Sequence, residues 1–193
     1  MDVKGGRNDA YAMKKSEILP FLFWYWKMNS KIDRHLLSKN YIDAISLCNQ
    51  MLEKNGKDLL AYYYRGISQR ELGFLDASVA DLWESEKVLK KQRWKWVVKD
   101  YYVKIPLQLS KTYVKMRNTK AAIDCAGVAI NADLKDVDGL KWRATLKEEA
   151  GDVAGALEDV NEAMRRRPKD KALVKMRDRL TYVFIEDKKD ANR

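Results

Sequence analysis

The chain of 193 residues contains one histidine, two cysteines and three prolines. Zinc held by His and Cys needs several ligands at close spacing, and His35, Cys48 and Cys125 do not provide it. The two cysteines fall on helical segments beside apolar neighbours. Buried reduced thiols are therefore expected, not a disulfide framework. His35 reads as a packing residue beside a turn. Glycine-rich phosphate loops, dinucleotide fingerprints and nucleophile elbows are missing, and carboxylate pairs such as Glu148-Glu149 sit on solvated helix faces. No catalytic residue, metal or cofactor is expected, and an enzyme is not. Long hydrophobic runs are missing too. The longest, Ile18 to Trp26, falls far short of the roughly 20 apolar residues that cross a bilayer, so no membrane span is expected. Lys14-Lys15 precedes it as in a secretory signal, but no small-residue cleavage site follows. That run is expected to be a packed helix with Trp24 or Trp26 at the surface. Sustained alternation of polar and β-branched residues, the mark of strands, is absent as well.

What remains is a helical pattern. Hydrophobic residues make up 46% and charged residues 34%, with nine glycines, a composition that can bury a core and is not that of a disordered chain. Apolar residues recur at three and four, as in Ala122-Ile123-Ala126-Ala129-Ile130 and Leu157-Val160-Ala163-Met164, so the fold class is all-α. The periodicity also repeats on a larger scale. Tyr62-x3-Gly66-x5-Leu72-Gly73 is echoed by Leu140-x3-Ala144-x5-Ala150-Gly151, and Ala156, Val160, Ala163 and Pro168 continue the second copy. A small residue lets two helices cross closely, a glycine makes the turn, and a proline ends the second helix where its missing N–H costs nothing.

This order resembles the tetratricopeptide repeat (TPR). Two further copies fit it: Pro106-x2-Leu109-Ser110-x2-Tyr113 with Ala122-x3-Ala126-x2-Ala129, and Met28-x3-Ile32-x2-His35 with Ala44-x3-Cys48-x2-Met51. The equivalent small residues Ala44, Ser78, Ala122 and Ala156 lie 34, 44 and 34 residues apart, against a family period of about 34. The resemblance implies a right-handed superhelical stack of about four antiparallel helix pairs. The expected units are about 25–57, 59–91, 103–134 and 137–170 within a single domain, 15–185. A capping helix is expected over 171–185, with Ala172, Val174, Met176, Leu180 and Val183 as its apolar residues, because terminal repeats need a lid. Residues 1–14 and 186–193 read as flexible ends. Ten extra residues fall between units two and three, around Lys90 to Tyr102. Nothing there breaks a helix, so the two flanking helices are expected to lengthen.

From about residue 59 to 185 the layout also resembles the TPR domain of immunophilin-type co-chaperones, which have a long join between their first two repeats. In that family a clamp of Lys, Asn, Asn, Lys and Arg grips the terminal carboxylates of heat-shock chaperones. The corresponding positions here hold Tyr63, Ile67, Gln108, Asp138 and Trp142. Sliding the register by one repeat gives Asn29, Asp33, Tyr64, Lys104 and Gln108. The resemblance implies the architecture without the clamp.

Charge narrows the function. Thirty-eight Lys and Arg against 28 Asp and Glu leave the chain at +10, which speeds encounters with acidic partners. If the first helix of each unit lines a concave groove, Tyr63, Tyr64, Lys104, Gln108, Lys111, Lys115, Lys141 and Trp142 converge there as a partner-binding wall. Aromatic anchors beside lysines suit an extended acidic segment; a merely solvated lysine face is the competing reading. The leading expectation is a protein–protein adaptor, cytoplasmic or nuclear, that docks a peptide or helix of another protein within a larger complex, or acts as a co-chaperone-like factor. The alternative is a nucleic-acid binder using Arg93-Trp94-Lys95-Trp96 for backbone charge and base stacking. Arg165-Arg166-Arg167 needs no ligand, since cations favour the last turn of a helix.

Overall fold

The computed structural model describes residues 15–92, 99–133 and 137–191. Among them are nine helices and no strand. The first two, α1 (Lys15–Leu37) and α2 (Tyr41–Lys54), form unit one. Unit two is α3 (Leu59–Glu71) and α4 (Leu75–Lys90), and unit three is α5 (Tyr101–Lys115) and α6 (Thr119–Ala132). Unit four is α7 (Val137–Glu149) and α8 (Val153–Arg166), and α9 (Lys171–Ala191) closes the stack. Each helix packs on its chain neighbours. The first helices of successive units also touch, α1 with α3 and α3 with α5, whereas no comparable contact joins two second helices. The first helices therefore form the tighter layer of the stack.

Local chemistry fixes the four intra-unit turns alike. Each passes through one residue of left-handed backbone: Lys39, Gly73, Arg117 and Gly151, with φ of 58°, 87°, 58° and 82°. Glycine takes that conformation freely, whereas a side chain costs energy there. The following residue caps the second helix in three units. Asn40, Asn118 and Asp152 accept from the N–H groups of Asp43, Ala121 and Gly155, satisfying donors that a helix start leaves open. Phe74 holds the fourth such position without a side-chain cap and is 61% exposed.

The crossings are close. A Cβ added at Gly66 would stand 2.9 Å from Cγ of Leu82 and 3.2 Å from the Ser78 carbonyl oxygen. Ala44, Ser78, Ala122 and Ala156 are fully buried at the matching positions. In unit three the crossing residue Ser110 donates to the Ala122 carbonyl at 2.7 Å. Between the small residues run the side chains that join the layers: Ile32, Met51, Leu82, Leu89, Ile105, Leu109, Leu140 and Val160 are buried in clusters shared between neighbouring units.

A buried ion pair reinforces two of the units. Arg65 of α3 donates from Nε and Nη2 to both carboxylate oxygens of Asp81 on α4, each at 2.7 Å. Arg143 and Asp159 repeat this in unit four at 2.9 and 2.6 Å, with Lys147 Nζ 3.1 Å from the same carboxylate. Bonding to these carboxylates raises the pKa of both guanidinium groups. In unit three the same two positions hold Leu109 and Cys125, and in unit one Lys31 and Leu47.

Three expectations are corrected. The ten extra residues extend the helices only slightly. At 16 residues α4 is two longer than α2, α6 and α8, and at 15 residues α5 is two longer than α3 and α7. The rest forms the join, in which residues 93–98 lie outside the described residues. The final helix runs to Ala191, into the segment expected to be a flexible tail. On that helix Leu173 and Leu180 are fully buried while Ala172 is exposed, so its apolar stripe includes one residue that the periodicity had passed over. The expected flexible residues 1–14 lie outside the described residues. The aromatic run is part of α1 itself: Trp26 is 65% exposed, while Lys54 Nζ sits 4.0 Å from the centre of the Trp24 ring.

Candidate functional site

The exposed side of the first-helix layer is built from residues four apart on a helix, which share a face. On α5 the sequence Lys104-x3-Gln108-x2-Lys111-x3-Lys115 lays one polar row along the seam with α3. On α3 the row is Tyr63, Ile67, Arg70 and Glu71.

The seam is an electrostatic network. Arg70 Nε donates to Glu71 Oε1 at 2.8 Å, and Nη1 donates to Gln108 Oε1 at 2.5 Å. Lys115 Nζ donates to Glu71 Oε2 at 2.9 Å and to the Arg70 carbonyl at 3.3 Å. Burial alone would raise the Glu71 carboxyl, but the bonds from Lys115 and Arg70 outweigh it and hold its pKa below the usual range. The Lys111 pKa is lowered as well, but there the shift favours the neutral form: partial burial, and then the charge of Arg70, lower it. Three cations thus gather around one carboxylate.

An aromatic group forms the other end. Tyr63 meets Tyr64 and Tyr101 edge to face, with ring centres 5.3 and 5.2 Å apart, and Lys104 Nζ lies 5.1 Å from the Tyr101 ring centre. Burial lifts the Tyr63 hydroxyl pKa to about 12. It raises Tyr64 further, helped by the charges of Tyr101 and Asp33.

The eight wall residues therefore behave differently. Lys104, Lys111 and Lys115 are exposed, as expected. Tyr63 is not a surface anchor: it is 6% exposed and belongs to the core with Leu82 and Ile105. The longer α5 contributes to this, because its first residue, Tyr101, packs edge to face against it. Tyr64 and Gln108 are half-buried and engaged within the wall. Trp142 is half-buried too. Its indole N–H donates to Ser110 Oγ at 2.7 Å, and its ring packs against Ala122, Ala126 and Leu146. It braces α7 on α5 and is not a free anchor. Lys141 lies on α7 near Asp170, whose carboxyl is held down first by the Ala172 N–H, then by the Leu173 N–H, and last by the charges of Lys141 and Arg167. Arg70 and Tyr101 complete the wall without having been expected. Arg70 was accessible by spacing, because it lies three residues after Ile67 on the same helical face. The Arg93-Trp94-Lys95-Trp96 run lies outside the described residues.

No protein-family model and no curated protein sequence matches the chain. Solved structures do. A chain of the APC/C Cut9–Hcn1 hetero-tetramer superposes with a TM-score of 0.65 at 14% identity, over 77% of this chain and 28% of that one. The present chain thus spans little more than a quarter of that relative's length. MamA from Desulfovibrio magneticus RS-1 gives 0.65 at 13% identity, covering 86% and 88%. The first TPR of Spaghetti (RPAP3), bound to the HSP90 peptide SRMEEVD, gives 0.52 at 11% identity, covering 66% and 93%. The fold is a TPR-type helical-repeat stack. Among the described residues no helix is long and apolar enough to cross a membrane.

Proposed function

We propose that the chain is a non-catalytic scaffold that docks a peptide or helix of a partner protein, acidic in character, on the wall formed by α1, α3, α5 and α7. The observation that carries this reading is the unbalanced charge at the α3–α5 seam, where Arg70, Lys111 and Lys115 face only Glu71. A cationic row beside aromatic side chains fits a segment that brings carboxylates and an apolar anchor. The fold favours the same reading, because stacked repeats offer extended surfaces that a compact domain does not.

Affinity capture with Lys104→Glu and Lys111→Glu together tests it. The reversed chain is expected to keep its circular dichroism and lose the partner held by the natural sequence. If capture survived and was lost instead in Trp94→Ala and Trp96→Ala, the wall would not be the docking surface.

A second prediction concerns end recognition. SRMEEVD should not bind in the clamp manner of a terminal carboxylate. Tyr63 is buried, Gln108 is engaged by Arg70 and Trp142 by Ser110, so donors to the end group are missing. Calorimetry with the free acid and with its C-terminal amide should give indistinguishable affinities. Tight binding of the acid alone would refute the assignment.

A further inference from the structure

The Arg70 guanidinium is held in place but only partly used. Its side chain is 8% exposed, so it is almost wholly removed from water. Its bonds run from Nε to Glu71 and from Nη1 to the side chain and carbonyl oxygen of Gln108, and none of them uses Nη2. A guanidinium presents five N–H donors in a planar fork suited to a carboxylate. Nη2 is not among the wholly buried side-chain atoms that lack a partner, so the open edge of the fork reaches the surface, where an incoming carboxylate can accept from it.

Lys111 is the second half of the arrangement. It has neither a hydrogen bond nor an ion pair among the described residues, while its neighbour Lys115 is bonded to Glu71. Burial and the nearby Arg70 lower its pKa, the response of an ammonium group crowded by a cation. Glu71 offsets this only in part, and its two oxygens are already taken by Arg70 and Lys115.

We infer that the α3–α5 seam carries a seat for one carboxylate side chain of the docked segment, gripped between the open edge of Arg70 and the ammonium group of Lys111. Gln108 and Glu71 fix Arg70, and Lys115 neutralises Glu71 so that the entering anion is not repelled. The seat recognises a glutamate or aspartate within a chain and requires no chain terminus. This rests on the acidic-segment reading above and adds a defined contact to it.

The probe is a fluorescein-labelled, amidated hexaglutamate, followed by polarisation with the full chain at about 50 mM salt, where exposed charges are only partly screened. Lys111→Met is expected to weaken binding about tenfold, as for loss of a charge-assisted hydrogen bond. Lys87→Met, on α4 and already paired with Glu84, should change it by less than about twofold. Arg70→Gln should match Lys111→Met, and Lys111→Met keeps the test decisive if the buried Arg70 variant fails to fold. Equal losses for Lys111→Met and Lys87→Met, or no binding at all, overturn the seat. If Lys104→Met is the sensitive variant and Lys111→Met is neutral, the seat falls while the wall stands. If Lys87→Met is the sensitive one, both fall. A single-stranded oligonucleotide of equal charge that binds more tightly, independently of Lys111, also overturns the proposal.

Discussion

Asp159→Ala is expected to destabilise the chain by about 3 kcal/mol, because removing one partner of a buried pair strands the other charge. The carboxylate side chain is only 5% exposed and joins Arg143, at 2.6 Å, to Lys147, at 3.1 Å. With the aspartate gone, Arg143 and Lys147, one turn apart on α7, would stand side by side with no carboxylate from α8 to meet them. The chain also contains its own control. Unit three uses Leu109 and Cys125 at these positions, both packed in an apolar cluster. The double variant Arg143→Leu with Asp159→Cys should therefore recover much of the loss, as apolar replacements of buried pairs commonly do. Denaturant melting measures both. A single variant within about half a kcal/mol of the natural chain, the range of an ordinary surface change, would show that the pair contributes little.

Trp142→Ala should cost about 2 kcal/mol, the loss of a half-buried aromatic together with its hydrogen bond. The ring packs against Ala122, Ala126 and Leu146, and the indole N–H reaches Ser110 on α5 at 2.7 Å. Trp142→Phe separates the two parts: it keeps most of the packing and should lose only about 1 kcal/mol. Thermal melting decides, and equal stability for all three chains would mean that α7 docks on α5 without this residue. A binding defect in Trp142→Ala is therefore interpretable only beside its melting curve.

The unit register is legible in the sequence because close crossings demand small side chains. Gly66, Ser110 and Ala144 on the first helices, and Ala44, Ser78, Ala122 and Ala156 on the second, cannot be large without separating the backbones. The turns were only half legible. Gly73 and Gly151 announce left-handed backbone, but Lys39 and Arg117 adopt it without the residue that signals it. The wall was less legible than the fold. Tyr63 sits at a surface position in the repeat pattern but is covered by Tyr101 from the slightly longer start of α5, a contact that depends on a join of irregular length. Trp142 similarly lies on a groove position, yet a hydroxyl on another helix draws its indole inward. Helical spacing shows which face a residue occupies. It does not show whether a neighbour covers that face, and Leu173, absent from the expected stripe of α9, shows the same limit.

The alternation between units with the cross-helix ion pair and units without it gives the stack two different weak points. Units two and four hold their helices together partly with Arg65–Asp81 and Arg143–Asp159, while at those positions unit three has Leu109 with Cys125 and unit one has Leu47 with Lys31, which has no carboxylate opposite it among the described residues. Ion pairs hold better as temperature rises, because the cost of desolvating them falls, whereas cooling weakens apolar association and acts on the second kind. In a stack where each unit leans only on its neighbours, the place where unravelling begins is then set by the stress applied. The same chain would open first from units one and three when chilled, so a single melting temperature would not describe how it comes apart.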